Sequence, residues 1–151
     1  MKYTCSVQLV LVAALLTACG GGDSAGTSNE ETGQGALQAI AGVWDSSTDE
    51  EGLTDVLYTV IRADGSHTEY DYFGDSFDNV ADCYVRFDST LTHEGDSRFT
   101  LSGDGIGDFN FEFVVQSSNL QVTFDGGESV LWPAASLTEA DFLPICDSAV
   151  F

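Results

Sequence analysis

The chain has 151 residues, of which 25 are acidic and 4 are basic, and its formal net charge at pH 7 is −21. This length fits one domain of ordinary size. The excess of acid excludes a protein that binds nucleic acid through a basic surface of its own. Hydrophobic residues make up 43% of the chain and aromatic residues 11%, a composition that indicates a packed core and excludes a disordered chain.

The beginning of the chain has the pattern of a secretory signal. Lys2 supplies a positive start, and residues 7–16 are apolar apart from Gln8. About ten apolar residues suit the central region of a signal peptide, whereas a membrane-spanning helix needs about 20. We therefore predict a signal peptide over residues 1–18.

The end of this apolar stretch resembles the lipobox of bacterial lipoproteins. Leu16 is followed by two small residues and then by Cys19. The resemblance implies that the chain is cut before Cys19 and that this residue carries acyl chains, which form a lasting membrane anchor. Gly20 follows, with no Asp at that position, and this is similar to enteric lipoproteins that are sorted to the outer membrane. We expect a lipid-anchored envelope protein, in the outer membrane of a Gram-negative bacterium. The alternative is a plain secretory signal with an incidental Cys.

A flexible tether is expected to follow the anchor, over residues 19–36. From Gly20 to Gly35 the chain consists mainly of Gly, Ser, Thr and acidic residues, with no apolar side chain larger than Ala. Such a composition is typical of a flexible spacer. The folded domain is then expected over residues 37–151.

From Ile40 onward, apolar and polar residues alternate with a period of two, which is typical of strands with one buried face. Asp64 and Gly65 predict a two-residue hairpin turn between the second and third strands. A short helical turn is expected over residues 137–142, capped by Ser136 or Thr138. Eight strands are predicted in all, around residues 40–45, 55–63, 66–73, 83–87, 99–101, 109–116, 120–124 and 129–132.

Eight short antiparallel strands with tight connections predict an all-β fold, a small up-and-down barrel. Closure of the sheet removes the exposed edges that would otherwise pair with other chains. A barrel of eight strands is just wide enough to be filled by side chains or to hold one small ligand. A two-sheet β-sandwich is the alternative.

The start of the first strand resembles the G-x-W motif of lipocalins and lipocalin-like bacterial domains. The motif lies at residues 41–44, with Gly42 and Trp44 in the matching places. The resemblance covers residues 40–132 and implies that the Trp closes the floor of the barrel, with an Arg from a late strand stacked across it. This chain has no basic residue after Arg98, so the second half of the signature is missing.

Cys83 and Cys146 are predicted to form a disulfide. Cys5 would leave with the signal and Cys19 would take the lipid, so an even pair remains in an oxidising compartment. A redox or metal-binding pair is the alternative, but the chain has no CxxC motif and no clustered His.

Aromatic residues are the candidates for a ligand pocket inside the barrel. A Tyr side chain has an apolar body and a polar tip, which suits the mouth of a pocket. The phenylalanines of the sixth strand, Phe109, Phe111 and Phe113, are predicted to lie in the core. The alternative is a filled core with the tyrosines at its rim. The pocket candidates are Trp44, Tyr58, Tyr70, Tyr72 and Tyr84.

An acidic loop after the third strand is a candidate calcium site. Calcium prefers six to eight oxygen ligands, and carboxylates supply them. The loop does not have the spacing of a known calcium motif, so a solvated acidic surface is the alternative. The two histidines, His67 and His93, could form a zinc site only together with carboxylates, because such a site needs three or four ligands, and we expect them instead to be exposed on strands among acidic residues. The candidate calcium ligands are Asp71, Asp75, Asp78 and Asp82.

The function expected from these features is non-catalytic binding of a small apolar ligand, with no cofactor. The alternative is an interaction or inhibitor protein that binds a cationic macromolecule through its acidic loops. Residues 74–76 resemble the G-D-S block of an esterase family, and His67 could act as the base. The order of Ser and His is reversed relative to that family, and the chain is all-β. We therefore expect no enzyme.

Overall fold

The computed structural model describes residues 28–50, 53–75 and 81–146. Single turns of 3-10 helix lie at Phe73–Asp75 and Glu139–Asp141. The regular elements within the described ranges are the helix α1 (Ser28–Ile40) and the strands β1 (Gly42–Asp45), β2 (Thr48–Glu50), β3 (Leu53–Asp55), β4 (Leu57–Ile61), β5 (Ser66–Tyr72), β6 (Tyr84–Gly95), β7 (Arg98–Gly103), β8 (Ile106–Gln116), β9 (Asn119–Phe124) and β10 (Ser129–Pro133).

Eight of these strands form one antiparallel sheet in the order β1-β4-β5-β6-β7-β8-β9-β10. Apart from the inserted β2–β3 hairpin, each strand pairs with its neighbour in the chain, so the topology is up-and-down. The eight predicted strands are the eight of this sheet, and the β2–β3 hairpin is an addition that the sequence did not indicate. The all-β barrel is confirmed over the β-sandwich.

The two edge strands, β1 and β10, meet at one place. The Ala135 N–H donates to the carbonyl oxygen of Val43 at 2.8 Å, and Trp44 forms an isolated bridge with Ala134. Since β1 and β10 form no continuous ladder, the sheet nearly closes into a barrel and leaves one unsealed seam.

Helix α1 includes residues that the sequence assigned to the tether. The tether was predicted to run to residue 36, whereas α1 begins at Ser28. Ala36, Leu37 and Ile40 pack against the core inside the barrel. The glycines of this segment would weaken an isolated helix, so the tertiary contact of its last turns stabilises it. The predicted signal peptide and Cys19 lie outside the described residues.

No helix in the part of the chain that the structure describes has the length and apolar character needed to cross a bilayer.

The turn between β4 and β5 is one residue longer than predicted. The Arg62 N–H donates to the Ser66 carbonyl at 2.9 Å, and the Gly65 N–H donates to the Arg62 carbonyl at 3.0 Å. Three residues, 63–65, therefore connect the paired ends. Gly65 has φ of 85°, which is the left-handed conformation that follows a type I turn in hairpins of this length and that glycine adopts without strain.

Two aromatic side chains on the inward face of the barrel, one on β8 and one on β6, are about half exposed. On β8 the exposed fraction rises from 5% at Phe113 to 51% at Phe109, and on β6 it rises from 2% at Leu91 to 53% at Phe87. The filled end of the barrel, beside α1, is called the closed end below, and the other is called the open end. Phe109 was predicted in the core and instead lies half-exposed at the open end.

A second hydrophobic cluster lies outside the barrel, under residues 134–146, which we call the C-terminal strap. Phe142 from the strap is fully buried against Val60 and Tyr70 of β4 and β5. The predicted disulfide between Cys83 and Cys146 is confirmed, with the two Cα atoms 5.1 Å apart. The strap therefore covers the outer face of the sheet and is linked covalently to it.

Candidate functional site

A cavity of about 470 Å³ lies inside the open half of the barrel. This volume falls within the roughly 300–1,000 Å³ that is typical of small-molecule sites. The wall is mainly apolar and interrupted by a few polar side chains, among them His67 and Glu69 of β5. The apolar side chains of the wall include Leu57, Leu101, Phe111, Phe113, Phe124 and Val130.

A second space of about 440 Å³ lies at the open end of the barrel. Glu69 and Phe111 line both spaces, so the two adjoin. Phe109, Asp108 and Asp125 line only the outer one. The outer space is therefore an aromatic and acidic mouth next to the apolar interior.

His67 is buried in the barrel wall, with 3% of its surface exposed. Its Nδ1 lies 2.7 Å from Oγ of Ser89 on β6. Burial, and to a smaller extent the positive charge of Arg62, lowers the pKa of His67 from 6.5 to about 4. The imidazole is therefore neutral at pH 7. The sequence predicted an exposed His67, and that prediction was wrong because the polar face of β5 points into the barrel.

Glu69 is the partly buried acidic group of the cavity wall, and Glu128 is an exposed one. Burial raises the pKa of the Glu69 carboxyl, and the negative charge of Asp71 raises it further. In the described part of the chain, no hydrogen bond or ion pair holds this carboxyl. It therefore lies against the cavity without a counter-charge.

The buried imidazole predicts that acid lowers stability through His67. The folded protein has the low pKa, about 4, and the unfolded chain has the ordinary value of 6.5. Between these values the unfolded state binds the proton that the folded state excludes, so stability falls as the pH decreases. We expect His67 to lower the free energy of unfolding by about 2 kcal/mol between pH 7 and pH 5.

The measurement is urea unfolding of the wild type and of His67→Gln at both pH values. Gln can keep the hydrogen bond to Ser89 but does not titrate. Glu69 acts with the opposite sign, since its raised pKa favours the folded state at low pH and that contribution is lost as the pH rises. Both proteins contain Glu69, so their difference isolates His67. An equal pH response of the two proteins would contradict the prediction.

The aromatic residues predicted to line a pocket do not line the barrel cavity. Trp44 is buried in the core near the closed end, where its Nε1–H donates to the Ile40 carbonyl at 2.9 Å. The tyrosines lie on or near the outer face of the sheet, packed with the C-terminal strap or with each other. None of the four tyrosines lines this cavity. The four are Tyr58, Tyr70, Tyr72 and Tyr84.

The period-two pattern placed the tyrosines and His67 on opposite faces of β5 but could not show which face is inside. Phe142 of the strap covers the tyrosine face, and the barrel interior takes the face with His67 and Glu69. Because both faces of β5 are covered, hydrophobicity alone does not determine the inward one.

The predicted calcium site is only partly described. The Asp82 carboxylate accepts a hydrogen bond from the Tyr72 hydroxyl at 2.7 Å. Asp78 and the side chain of Asp75 lie outside the described residues. Among the residues described, no group of three or more His, Cys, Asp or Glu side chains is arranged to hold a metal ion. Calcium binding by Asp71, Asp75, Asp78 and Asp82 stays a prediction.

A wider groove of about 980 Å³ is lined largely by polar side chains of β7 and β8, among them Thr100 and Asn110. The Thr100 hydroxyl donates to the Asn110 amide oxygen at 3.1 Å, so these two groups satisfy each other. The groove is less suited to an apolar ligand than the barrel interior is.

The fold and the cavity together define a small antiparallel β-barrel with a filled end and an open end. No protein-family model matches the chain, and comparison with curated proteins and with solved structures gives no match.

Proposed function

We propose that this protein is a lipid-anchored envelope protein whose barrel binds a small apolar molecule without transforming it. The observation that carries the binding proposal is the apolar cavity of about 470 Å³ in the open half of the barrel. The support for the anchor is the lipobox-like sequence that ends at Cys19, and the tether and α1 would then join the membrane to the closed end.

An exposed aromatic residue at the mouth supports the same proposal. Phe109 lines the outer space and is about half exposed although it belongs to the inward face of the barrel. Apolar surface in contact with water is unfavourable by about 25 cal/mol per Å². An apolar ligand in the cavity would cover part of this surface, and burial of that surface would stabilise the complex.

The proposal predicts that filling the cavity abolishes binding. Leu57 lines the cavity at its open side and is only partly buried, so a larger side chain can replace it with little strain on the core. We expect Leu57→Trp to weaken binding of a neutral naphthalene dye, whose fluorescence rises in apolar surroundings, by at least about tenfold. The measurement is a fluorescence titration of the full chain.

Leu143→Trp is the matched control, because Leu143 is 64% exposed on the strap. It adds the same side chain away from the cavity and should leave dye binding unchanged. Urea unfolding of both variants shows whether each remains folded. The proposal fails if the wild type does not bind the dye, or if the folded Leu57→Trp variant binds it as well as the control does.

A further inference from the structure

The carboxyl of Glu69 is the starting point for the chemistry of the ligand. It lines both the inner cavity and the mouth, and it has no hydrogen bond or ion pair to a residue in the described ranges. Glu69 is half-buried, so its carboxylate has lost part of its contact with water and gained no counter-charge, which is unfavourable. A ligand that supplies the counter-charge would recover part of that loss on binding.

The arginines of the folded chain do not supply a counter-charge to Glu69. Arg62 pairs with Glu139 at 2.7 Å, and Arg86 pairs with Asp88 at 2.9 Å. Arg98, the third arginine, does not line the cavity. It lines the polar groove, which shares Asp108 and Asp125 with the outer space. The imidazole in the cavity wall is neutral at pH 7. As far as the structure describes the chain, the interior is therefore an apolar space with two acidic groups, Glu69 and Glu128, and no positively charged one.

The mouth of the barrel carries negative charge, as the Glu69 carboxylate inside it does. Asp108 and Asp125 line the outer space, and Glu128 lines the inner one. Grouped charges at the mouth of a low-dielectric cleft attract ligands of opposite charge and repel those of like charge. A carboxylate ligand such as a fatty acid would be repelled at the mouth and would then meet Glu69 inside.

We propose that the ligand is a cationic amphiphile, an apolar chain that ends in an amine, with the ammonium group paired to the Glu69 carboxylate and the chain in the aromatic cavity. This inference rests on the proposed function and specifies its ligand class. An ammonium–carboxylate hydrogen bond is stronger than one between neutral groups. His67 offers a second acceptor at Nε2 when its Nδ1 carries the proton and donates to Ser89.

The test compares three ligands with one chain and three headgroups: decylamine, decanol and decanoate. Each displaces the neutral naphthalene dye from the full chain at pH 7, at concentrations below those at which it forms micelles. We expect decylamine to bind at least about tenfold more tightly than decanol, and decanoate at least about tenfold more weakly. Glu69→Gln should weaken decylamine binding by about tenfold or more and change decanol binding by less than about threefold.

Glu112→Gln is the control variant, since Glu112 is exposed on β8 and does not line the cavity. It removes the same charge and should preserve the order of the three ligands. If Glu69→Gln does not fold, the headgroup order measured on the wild type still tests the ligand class.

The outcomes separate the two proposals. If none of the three ligands displaces the dye and the dye itself does not bind, the proposed function fails. If the ligands bind equally, or decanoate binds most tightly, the cationic-ligand inference is overturned while the proposed function stands. If Glu69→Gln keeps the preference for decylamine, Glu69 is not the partner and the inference is again overturned.

Discussion

Replacement of Phe142 by Ala is expected to lower the free energy of unfolding by about 3–5 kcal/mol. The side chain is fully buried between the C-terminal strap and the outer face of the sheet. Its ring centroid lies 4.4 Å from that of Tyr70 and 5.2 Å from that of Tyr58. Each aromatic pair adds about 0.5–1.5 kcal/mol to the burial of apolar surface. Truncation therefore removes the centre of the outer cluster.

Urea unfolding of the variant and the wild type measures this effect. Leu143→Ala is the control, because Leu143 is next to Phe142 in the chain and is 64% exposed. This variant should change stability by no more than about 0.5 kcal/mol. Dye binding should survive in folded Phe142→Ala protein, since Phe142 does not line the cavity. A loss of stability below about 1 kcal/mol would show that the strap contributes little to the fold.

Removal of the disulfide is expected to lower the free energy of unfolding by about 4 kcal/mol in the chain-entropy account. The bond joins residues separated by 63 positions and so restricts a long loop of the unfolded chain. The strap end is also held by backbone hydrogen bonds, since the Tyr84 N–H donates to the Pro144 carbonyl and the Cys146 N–H donates to the Tyr84 carbonyl, each at 2.9 Å. These bonds should persist in the reduced protein and keep its native fold.

The experiment compares unfolding of the wild type with and without a reducing agent, and of the double variant Cys83→Ala/Cys146→Ala. Reduced wild type and the double variant should be destabilised to a similar extent. The reducing agent should leave the double variant unchanged, which controls for the other cysteines of the chain. A double variant as stable as the oxidised wild type would contradict the prediction.

Much of the fold followed from local sequence patterns. Alternation such as Phe109, Phe111 and Phe113 fixes which residues share one face of a strand, because side chains point to opposite faces in turn. Turn residues mark where strands end. Cys83 was predicted to pair with Cys146 because these two cysteines remain when Cys5 is assigned to the signal peptide and Cys19 to the lipid anchor. These signals are local or depend on counting, and the structure confirms the barrel and the disulfide.

The candidate site needed information that local patterns do not contain. Period-two alternation is symmetric, so it cannot show whether the face with Tyr70 or the face with His67 is inside a strand that is covered on both sides. Helix α1 could not be predicted either, because its residues favour a helix weakly and only packing at the closed end stabilises it. The depth to which α1 and the core fill the barrel sets the size of the cavity.

Strand periodicity, turn chemistry and cysteine number are properties of the chain, and they are enough to predict an antiparallel all-β fold with a disulfide between Cys83 and Cys146. Packing between distant parts of the chain selects the barrel over the sandwich, and it determines which face of β5 lines the interior, where the tyrosines lie and how much of the barrel stays open. Those features depend on what covers each surface, the strap outside and α1 at the closed end, and each comes from a part of the chain distant in sequence from the strands it covers.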